Sequence, residues 1–321
     1  MIPRRSLMLL AIGASLSCSH SQPYEQSYLR ASDNWAFRRE YASADHLFNA
    51  FDYGHAILSE TLLRHPDDAA ARLEGPIYAF ITTHLLKQPP SVPLDEHAIA
   101  PRYGVVVPEA IATFEWTHAL HRQLYDIISD QRVSPAMRDR RIRDALHYYR
   151  SRVDLALSDA PKSMVLMEGQ PYSLAFRRAA PRFNRLIWSY HWLQMGLYDA
   201  LLRTGDYQSR HIAVESTVAR FFLLLGDSSA VPSMMPMSAA IAPLFSERYP
   251  EAAIIFDNLH SLHDVVSDIL ASPIVAPANK RAEILRALDR YRDSTSFVMS
   301  RREWLEMSRS MGVEHMGGGI P

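Results

Sequence analysis

Apolar residues recur every three to four positions along most of the chain beyond Gln26, which is the spacing of one face of an α-helix. Strict alternation of apolar and polar residues, the pattern of a half-buried strand, is almost absent. Apolar residues make up 48% of the 321 positions, which is enough to form a buried core. The sequence therefore predicts an all-α fold, a single multi-helix domain built around a four-helix bundle.

Nine segments carry this helical spacing. Several begin with proline in the first turn, where the missing amide proton costs nothing. The predicted helices are Ser43–Arg64, Pro76–Leu86, Pro108–Ser129, Pro135–Leu157, Pro181–Leu202, Tyr207–Leu225, Pro250–Ala271, Pro277–Arg292 and Ser300–Ser310.

The segment that opens the chain, Met1–Ser17, has the pattern of an export signal. Arg4 and Arg5 precede an apolar run from Leu7 to Leu16, which is too short to span a bilayer. We therefore expect a signal peptide over 1–17, a tether over 18–42, a helical domain over 43–315 and a flexible tail over 316–321.

Cys18 follows this run directly and is the only cysteine in the chain. The sequence Ser15-Leu16-Ser17-Cys18 resembles a bacterial lipobox, although Ser15 stands where that motif usually has leucine. The resemblance implies a lipid anchor on Cys18 and a periplasmic lipoprotein. A cleaved signal with an incidental cysteine is the alternative, and the protein would then be free in the periplasm.

Charge and cysteine content exclude several classes of function. The net charge of -1 argues against nucleic acid as a partner, because phosphate binding requires a concentrated basic surface. A single cysteine excludes a disulfide framework and cysteine-rich metal sites, and no Cys-x-x-Cys-His motif is present for covalent haem.

Three predicted helices share a short motif in which phenylalanine and an acid are followed, after two residues, by histidine. Composition alone predicts about 0.06 occurrences of this motif when matches are counted along the chain. The three copies are Phe51-Asp52-Tyr53-Gly54-His55, Phe114-Glu115-Trp116-Thr117-His118 and Phe256-Asp257-Asn258-Leu259-His260.

The similarity continues beyond the motif. His118 and His260 are each followed three residues later by a second histidine, His121 or His263. An aspartate then lies eight residues beyond the first histidine. His191 has the same interval to its aspartate, with Gln194 in the place of the second histidine and Trp188 in the place of the acid. Four helices thus present related faces.

This spacing is typical of metal ligation by helices, since residues i and i+3 lie on one face, one turn apart. The pattern resembles the ligand sets of di-iron carboxylate bundles, which use Glu-x-x-His pairs and lone glutamates. We expect the metal ligands to be Asp52, His55, Glu115, His118, His121, His191, Asp257, His260 and His263. We expect the surrounding residues to be Tyr125, Asp126, Gln194, Tyr198, Asp199 and Asp268.

The sequence therefore favours an exported metal-dependent oxidoreductase with a di-iron or similar dinuclear centre and a small-molecule or O₂ substrate. Iron is the favoured ion, while copper or zinc is possible on the same histidines; the methionines of Met234-Met235-Pro236-Met237 would suit copper. Three alternatives stay open: a non-catalytic copper, zinc or iron lipoprotein, a buried ion-pair network without metal, and a metal-free helical scaffold.

Overall fold

A computed structural model describes residues 27–203, 206–226 and 234–310 and contains no β-strand within them. The prediction of an all-α single domain is confirmed. Cys18, the expected signal peptide and the expected tail over 316–321 lie outside the described residues. None of the described helices has the length and the apolar character needed to cross a bilayer.

Four long helices present the related faces, three of them with the repeated motif, and we number these core helices in chain order. They are α1 (Ala42–Arg64), α2 (Pro108–Ser129), α3 (Pro181–Leu202) and α4 (Pro250–Ala271). Helices α2, α3 and α4 begin and end at the predicted residues, because a proline opens each one and its missing amide proton is not needed there.

The remaining helices surround these four. Short helices come before each core helix, and longer ones follow α2, α3 and α4. Their bounds are Ala36–Glu40, Ala69–Arg72, Tyr78–Phe80, Glu96–Ile99, Pro101–Val106, Pro135–Arg150, Met164–Glu168, Ala175–Ala179, Tyr207–Gly226, Ser238–Ile241, Pro243–Arg248, Lys280–Arg292 and Arg301–Ser310, with a 3₁₀ turn at Pro277–Asn279.

Two predicted helices differ from the structure for local reasons. The segment predicted as Pro76–Leu86 includes π-helical turns over Leu73–Ile77 and Ile81–Leu85, and Pro76 lies inside the first, where it cannot donate an amide hydrogen bond. The helix predicted to reach Leu157 ends at Arg150. Beyond it the chain turns back, and the amide of Leu157 donates to the Tyr149 hydroxyl at 2.7 Å.

The described part of the expected tether over 18–42 packs against the helical domain. Residues from 27 onward belong to the packed domain: Phe37 is buried, and the buried Asp33 forms an ion pair with Arg141 at 2.6 Å. The sequence pattern indicates a tether there only because the segment is short and lacks a long apolar face.

The chain consists of two structurally equivalent halves. The helices that begin at Ala36 and Ala42 recur in the second half at Ala175 and Pro181, and both are displaced by the same number of positions. The helices that begin at Glu96, Pro101 and Pro108 recur at Ser238, Pro243 and Pro250, again with one common displacement. Helices α1 and α2 of the first half thus correspond to α3 and α4 of the second. Each core helix of one half contacts both core helices of the other.

A buried carboxylate near the end of each core helix joins the two helices within a half. Each of these four clasp carboxylates accepts two backbone amides from the segment that precedes the other core helix of its half. Glu60 of α1 binds Arg102 and Tyr103, Asp126 of α2 binds Trp35 and Phe37, Asp199 of α3 binds Leu244 and Phe245, and Asp268 of α4 binds Leu174 and Phe176. The pairing is therefore reciprocal in both halves.

Burial raises the pKa of Asp126 to about 7, although the amides of Phe37 and Trp35 oppose this shift. The unfolded chain releases this proton near the ordinary value of 3.8. Between about pH 4 and 7 the folded state holds a proton that the unfolded state has lost, so the free energy of unfolding falls as pH rises through this window.

We therefore expect Asp126→Asn, which cannot titrate, to destabilise the protein more at pH 5 than at pH 8, by on the order of 2 kcal/mol. Urea unfolding at both pH values measures this difference. The exposed Asp67→Asn is the matched control. An Asp126→Asn effect that is equal at the two pH values would contradict the assignment.

Candidate metal centre

Six histidines from the four core helices meet in the interior of the protein. They are 0–6% exposed: His55 of α1, His118 and His121 of α2, His191 of α3, and His260 and His263 of α4. We call them the histidine cluster. Ring centroids are 4.0 Å apart for His191 and His260, 4.3 Å for His55 and His263, and 5.4 Å for His118 and His263.

The shortest contact in the cluster joins two ring nitrogens. Nε2 of His55 lies 3.2 Å from Nε2 of His191. Two nitrogens bound to one tetrahedral ion at ~2.0–2.1 Å are separated by roughly 3.3 Å. His263 offers a further nitrogen, and the three ligand atoms lie within 4.8 Å of one another. Within the described ranges, this is the one group of three or more histidine, cysteine or acidic residues that meets this distance.

The backbone sets which nitrogen of His55 is available. Its Nδ1 lies 2.9 Å from the carbonyl oxygen of Phe51, one turn earlier in α1. A carbonyl can only accept, so Nδ1 carries the proton and the lone pair of Nε2 faces His191. This backbone hydrogen bond is a common way of orienting a metal-binding imidazole.

The histidines are neutral at physiological pH because they are buried. Burial lowers the pKa of His55 to about 4, with His118 adding to the shift, and lowers that of His118 to about 3, with Arg122 adding. Burial also holds the pKa values of His121, His191, His260 and His263 well below the usual range of histidine. Each of the six neutral imidazoles therefore has one ring nitrogen with a free lone pair. Neutral imidazole is the form that binds metal ions.

Several polar atoms in and beside this cluster have no hydrogen-bond partner. Such atoms are rare in buried positions, because each forfeits the hydrogen bonds that it would make in water. They are Nε2 of His121, Nδ1 of His191, both ring nitrogens of His260, Nδ1 of His263, and the side-chain nitrogen and oxygen of Gln194.

Asp52 is the repeat acid that lies against the histidines. It accepts a hydrogen bond from Arg122 at 2.7 Å, and its other oxygen lies 3.5 Å from Nδ1 of His118. Burial raises the pKa of Asp52, and Arg122 opposes the shift. Asp52 is thus placed to orient His118, with its charge balanced by Arg122. Arg122, which also packs over the Phe48 ring, is not among the residues that the sequence pattern predicts, although it lies one turn beyond His118.

The other two repeat acids make contacts elsewhere. One oxygen of Asp257 accepts from the amide and the hydroxyl of Ser238, and the other accepts from the Trp304 indole at 2.7 Å. Glu115 is half-buried beside Glu96, and burial, with Asp95 and Asp52, raises its pKa to about 7. The structure does not bring these two carboxylates to the histidine cluster.

The three aspartates among the expected surrounding residues make their hydrogen bonds away from the histidines. Both carboxylate oxygens of Asp126, Asp199 and Asp268 accept backbone amides in the clasps. The reason is distance, because eight residues of helix advance by about 12 Å.

Of the expected surrounding residues, the two tyrosines do reach the interior. The Tyr198 hydroxyl lies 2.9 Å from Nδ1 of His121 and also donates to its carbonyl at 3.0 Å. The Tyr125 hydroxyl donates to the carbonyl of Gln194, and its ring packs against His121 at 5.0 Å.

The clasp carboxylates define the register of the four core helices and correct the sequence alignment of α1. Eight residues before the clasp carboxylate lie Asp52, His118, His191 and His260; five residues before it lie His55, His121, Gln194 and His263. The motif Phe51-Asp52-x-x-His55 is therefore displaced by three residues from its counterparts. Asp52 takes the place of a first histidine, and His55 takes that of a second.

No known protein family matches the chain, and no curated protein or solved structure matches it either.

The Asp52–Arg122 pair gives a testable consequence of burial. Asp52→Asn leaves a buried guanidinium short of its closest carboxylate, so we expect a loss of on the order of 3 kcal/mol in the free energy of unfolding. The double variant Asp52→Asn/Arg122→Met should lose less, because the buried guanidinium is then absent and Asp45, its other acidic neighbour, keeps its ion pair with Arg38 at 3.0 Å. Denaturant unfolding measures both, with the exposed Asp144→Asn as the control. A double variant less stable than Asp52→Asn would contradict this account of the pair.

Proposed function

We propose that this protein binds a transition-metal ion in the histidine cluster, with His55, His191 and His263 as ligands. The observation that carries the proposal is the 3.2 Å separation of the His55 and His191 Nε2 atoms, with a nitrogen of His263 within 4.8 Å. The protonated Nδ1 of His55 supports it, because the remaining lone pair points towards His191.

The unpartnered nitrogens argue against a purely structural cluster. A network held together by ion pairs would satisfy its polar atoms. Asp52 forms an ion pair with Arg122, but its other oxygen, 3.5 Å from Nδ1 of His118, has no hydrogen-bond partner. Stacked neutral imidazoles without partners cost free energy on folding. A bound cation would supply the missing interaction for the lone pairs that face it.

The donor set favours copper. Imidazole nitrogens suit copper, zinc, nickel and iron, whereas carboxylates favour harder ions. Asp257 and Glu115 make their contacts away from the cluster, which weakens the support for a carboxylate-bridged di-iron centre. Copper also binds most tightly among the divalent ions of the first transition row at a given nitrogen site. Zinc is the main competitor.

A redox role is the second candidate function, and the contact between Tyr198 and His121 favours it. A buried tyrosine hydrogen-bonded to a histidine of the cluster would be placed to give an electron to an oxidised metal ion there, while its hydroxyl proton would pass to the His121 imidazole. A copper ion that cycles between its two oxidation states in the purified protein would support an oxidoreductase. A protein isolated with zinc alone would support metal handling.

Metal analysis of a matched pair of variants tests the proposal. We expect His191→Ala to weaken binding of the ion held by the triad of His55, His191 and His263 at least tenfold and so to lower the metal-to-protein ratio after gel filtration, because it removes one of the two closest nitrogens. His147→Ala changes an exposed histidine with the same acid-x-x-His spacing, in Asp144-Ala145-Leu146-His147, and should retain the metal of the wild type.

A chelator should lower the melting temperature of the wild type more than that of His191→Ala, since an ion bound only to the folded state stabilises it. Equal metal contents in the wild type and His191→Ala would contradict the ligand assignment.

We also propose that the protein is exported and anchored by a lipid on Cys18. The support comes from the lipobox-like sequence alone. Cys18→Ala should move the protein from the membrane fraction to the soluble periplasmic fraction, because a lipid anchor requires the thiol. Membrane fractionation with immunodetection measures this. A membrane-associated Cys18→Ala variant would contradict the anchor, and a wild-type protein in the soluble fraction would favour a simply cleaved signal.

A further inference from the structure

The interior contains a second group of unpartnered polar atoms beside the proposed triad. It comprises Nε2 of His121, both ring nitrogens of His260, and both polar side-chain atoms of Gln194. These three side chains are 0–1% exposed. The triad of His55, His191 and His263 accounts for none of them.

The two halves of the chain relate this group to His55, His118 and His263, two of which belong to the triad. Gln194 follows His55 by the same interval that separates the helix starts Ala42 and Pro181. Likewise, His260 follows His118, and His263 follows His121, by the interval between the starts of α2 and α4.

This equivalence pairs the contacts of the two groups. The contact of His55 with His263 has its counterpart in Gln194 and His121. The pair His118 and His263, 5.4 Å between centroids, corresponds to His260 and His121, at 6.3 Å.

Other contacts agree with this equivalence. The Tyr125 hydroxyl donates to the Gln194 carbonyl while its ring packs against His121. The ring of His260 stacks on His191 at 4.0 Å, so the second group adjoins the first. The two imidazoles are thus near neighbours beside the triad, and the equivalence with His55 places the Gln194 amide on the same side of the cluster.

We propose that His121, Gln194 and His260 bind a second ion of the same metal, and that this ion is held more weakly than the first. The proposal rests on the proposed function, since it extends the same cluster. The second position has an amide where the first has the His55 imidazole. An amide oxygen is a poorer ligand than imidazole for copper or zinc, so the second ion should bind after the first.

A buried water molecule is the competing occupant, because it can bond two to four polar atoms. The two occupants differ in what they require of residue 194. A water bonds to either an amide or an imidazole, whereas a metal ion binds an imidazole more tightly. The variant Gln194→His, which introduces the residue found at the equivalent position 55, therefore distinguishes a bound metal ion from a bound water molecule.

The experiment titrates the full chain with Cu²⁺ alone, and with Zn²⁺ alone in parallel, and measures bound metal by elemental analysis after gel filtration. We expect two ions per wild-type chain, with dissociation constants at least tenfold apart. His121→Gln should bind only the tighter ion. Gln194→His should strengthen the weaker ion at least tenfold, and His147→Ala should behave as the wild type.

Circular dichroism checks that each variant folds. If the imidazole introduced by Gln194→His disrupts packing, Gln194→Asn serves as a second variant. Gln194→Asn should weaken binding of the second ion only. One ion in the wild type, with no change in Gln194→His or Gln194→Asn, would overturn this inference and leave the proposed function standing. No ion in the wild type would overturn both.

Discussion

The burial of neutral imidazoles is the constraint on which the rest of the structure depends. Each core helix places at least one histidine in the centre of an apolar protein, where the charged form is too poorly solvated to persist. Several ring nitrogens that would otherwise bond to water then contact only one another or have no partner. The proposed cation would compensate this cost, which the ion pair of Asp52 with Arg122 does not, since the other Asp52 oxygen has no hydrogen-bond partner.

The clasp carboxylates explain how four helices hold these side chains in register. Each fixes the start of one core helix against the end of another, so the position of a histidine five or eight residues earlier is set relative to both helices. Since the clasps recur in both halves, the halves present equivalent positions to the shared interior. The halves differ at two equivalent positions: Asp52 in the first half corresponds to His191 in the second, and His55 corresponds to Gln194. These differences distinguish the two sides of the cluster.

Most of the fold and the histidines of the site follow from local sequence. The bounds of α2, α3 and α4 are predictable because proline marks each start, and the spacing of the motif identifies His55, His118, His191 and His260. The contacts of the acids are not predictable, since Asp257 bonds to Ser238 and Trp304, of which Trp304 is distant in sequence. The three-residue displacement in α1 is not predictable either. Its clasp carboxylate, Glu60, is a glutamate five residues beyond His55, whereas the other three are aspartates eight residues beyond a first histidine.

X-ray absorption spectroscopy of the copper-loaded protein tests the central claim most directly. The account predicts a first shell of nitrogen at about 2 Å with the multiple scattering typical of imidazole, and a clear change in that shell when His55 is replaced by alanine. A first shell made of carboxylate oxygen, or a spectrum that is unchanged by His55→Ala, would contradict the assignment of the metal to the histidine cluster.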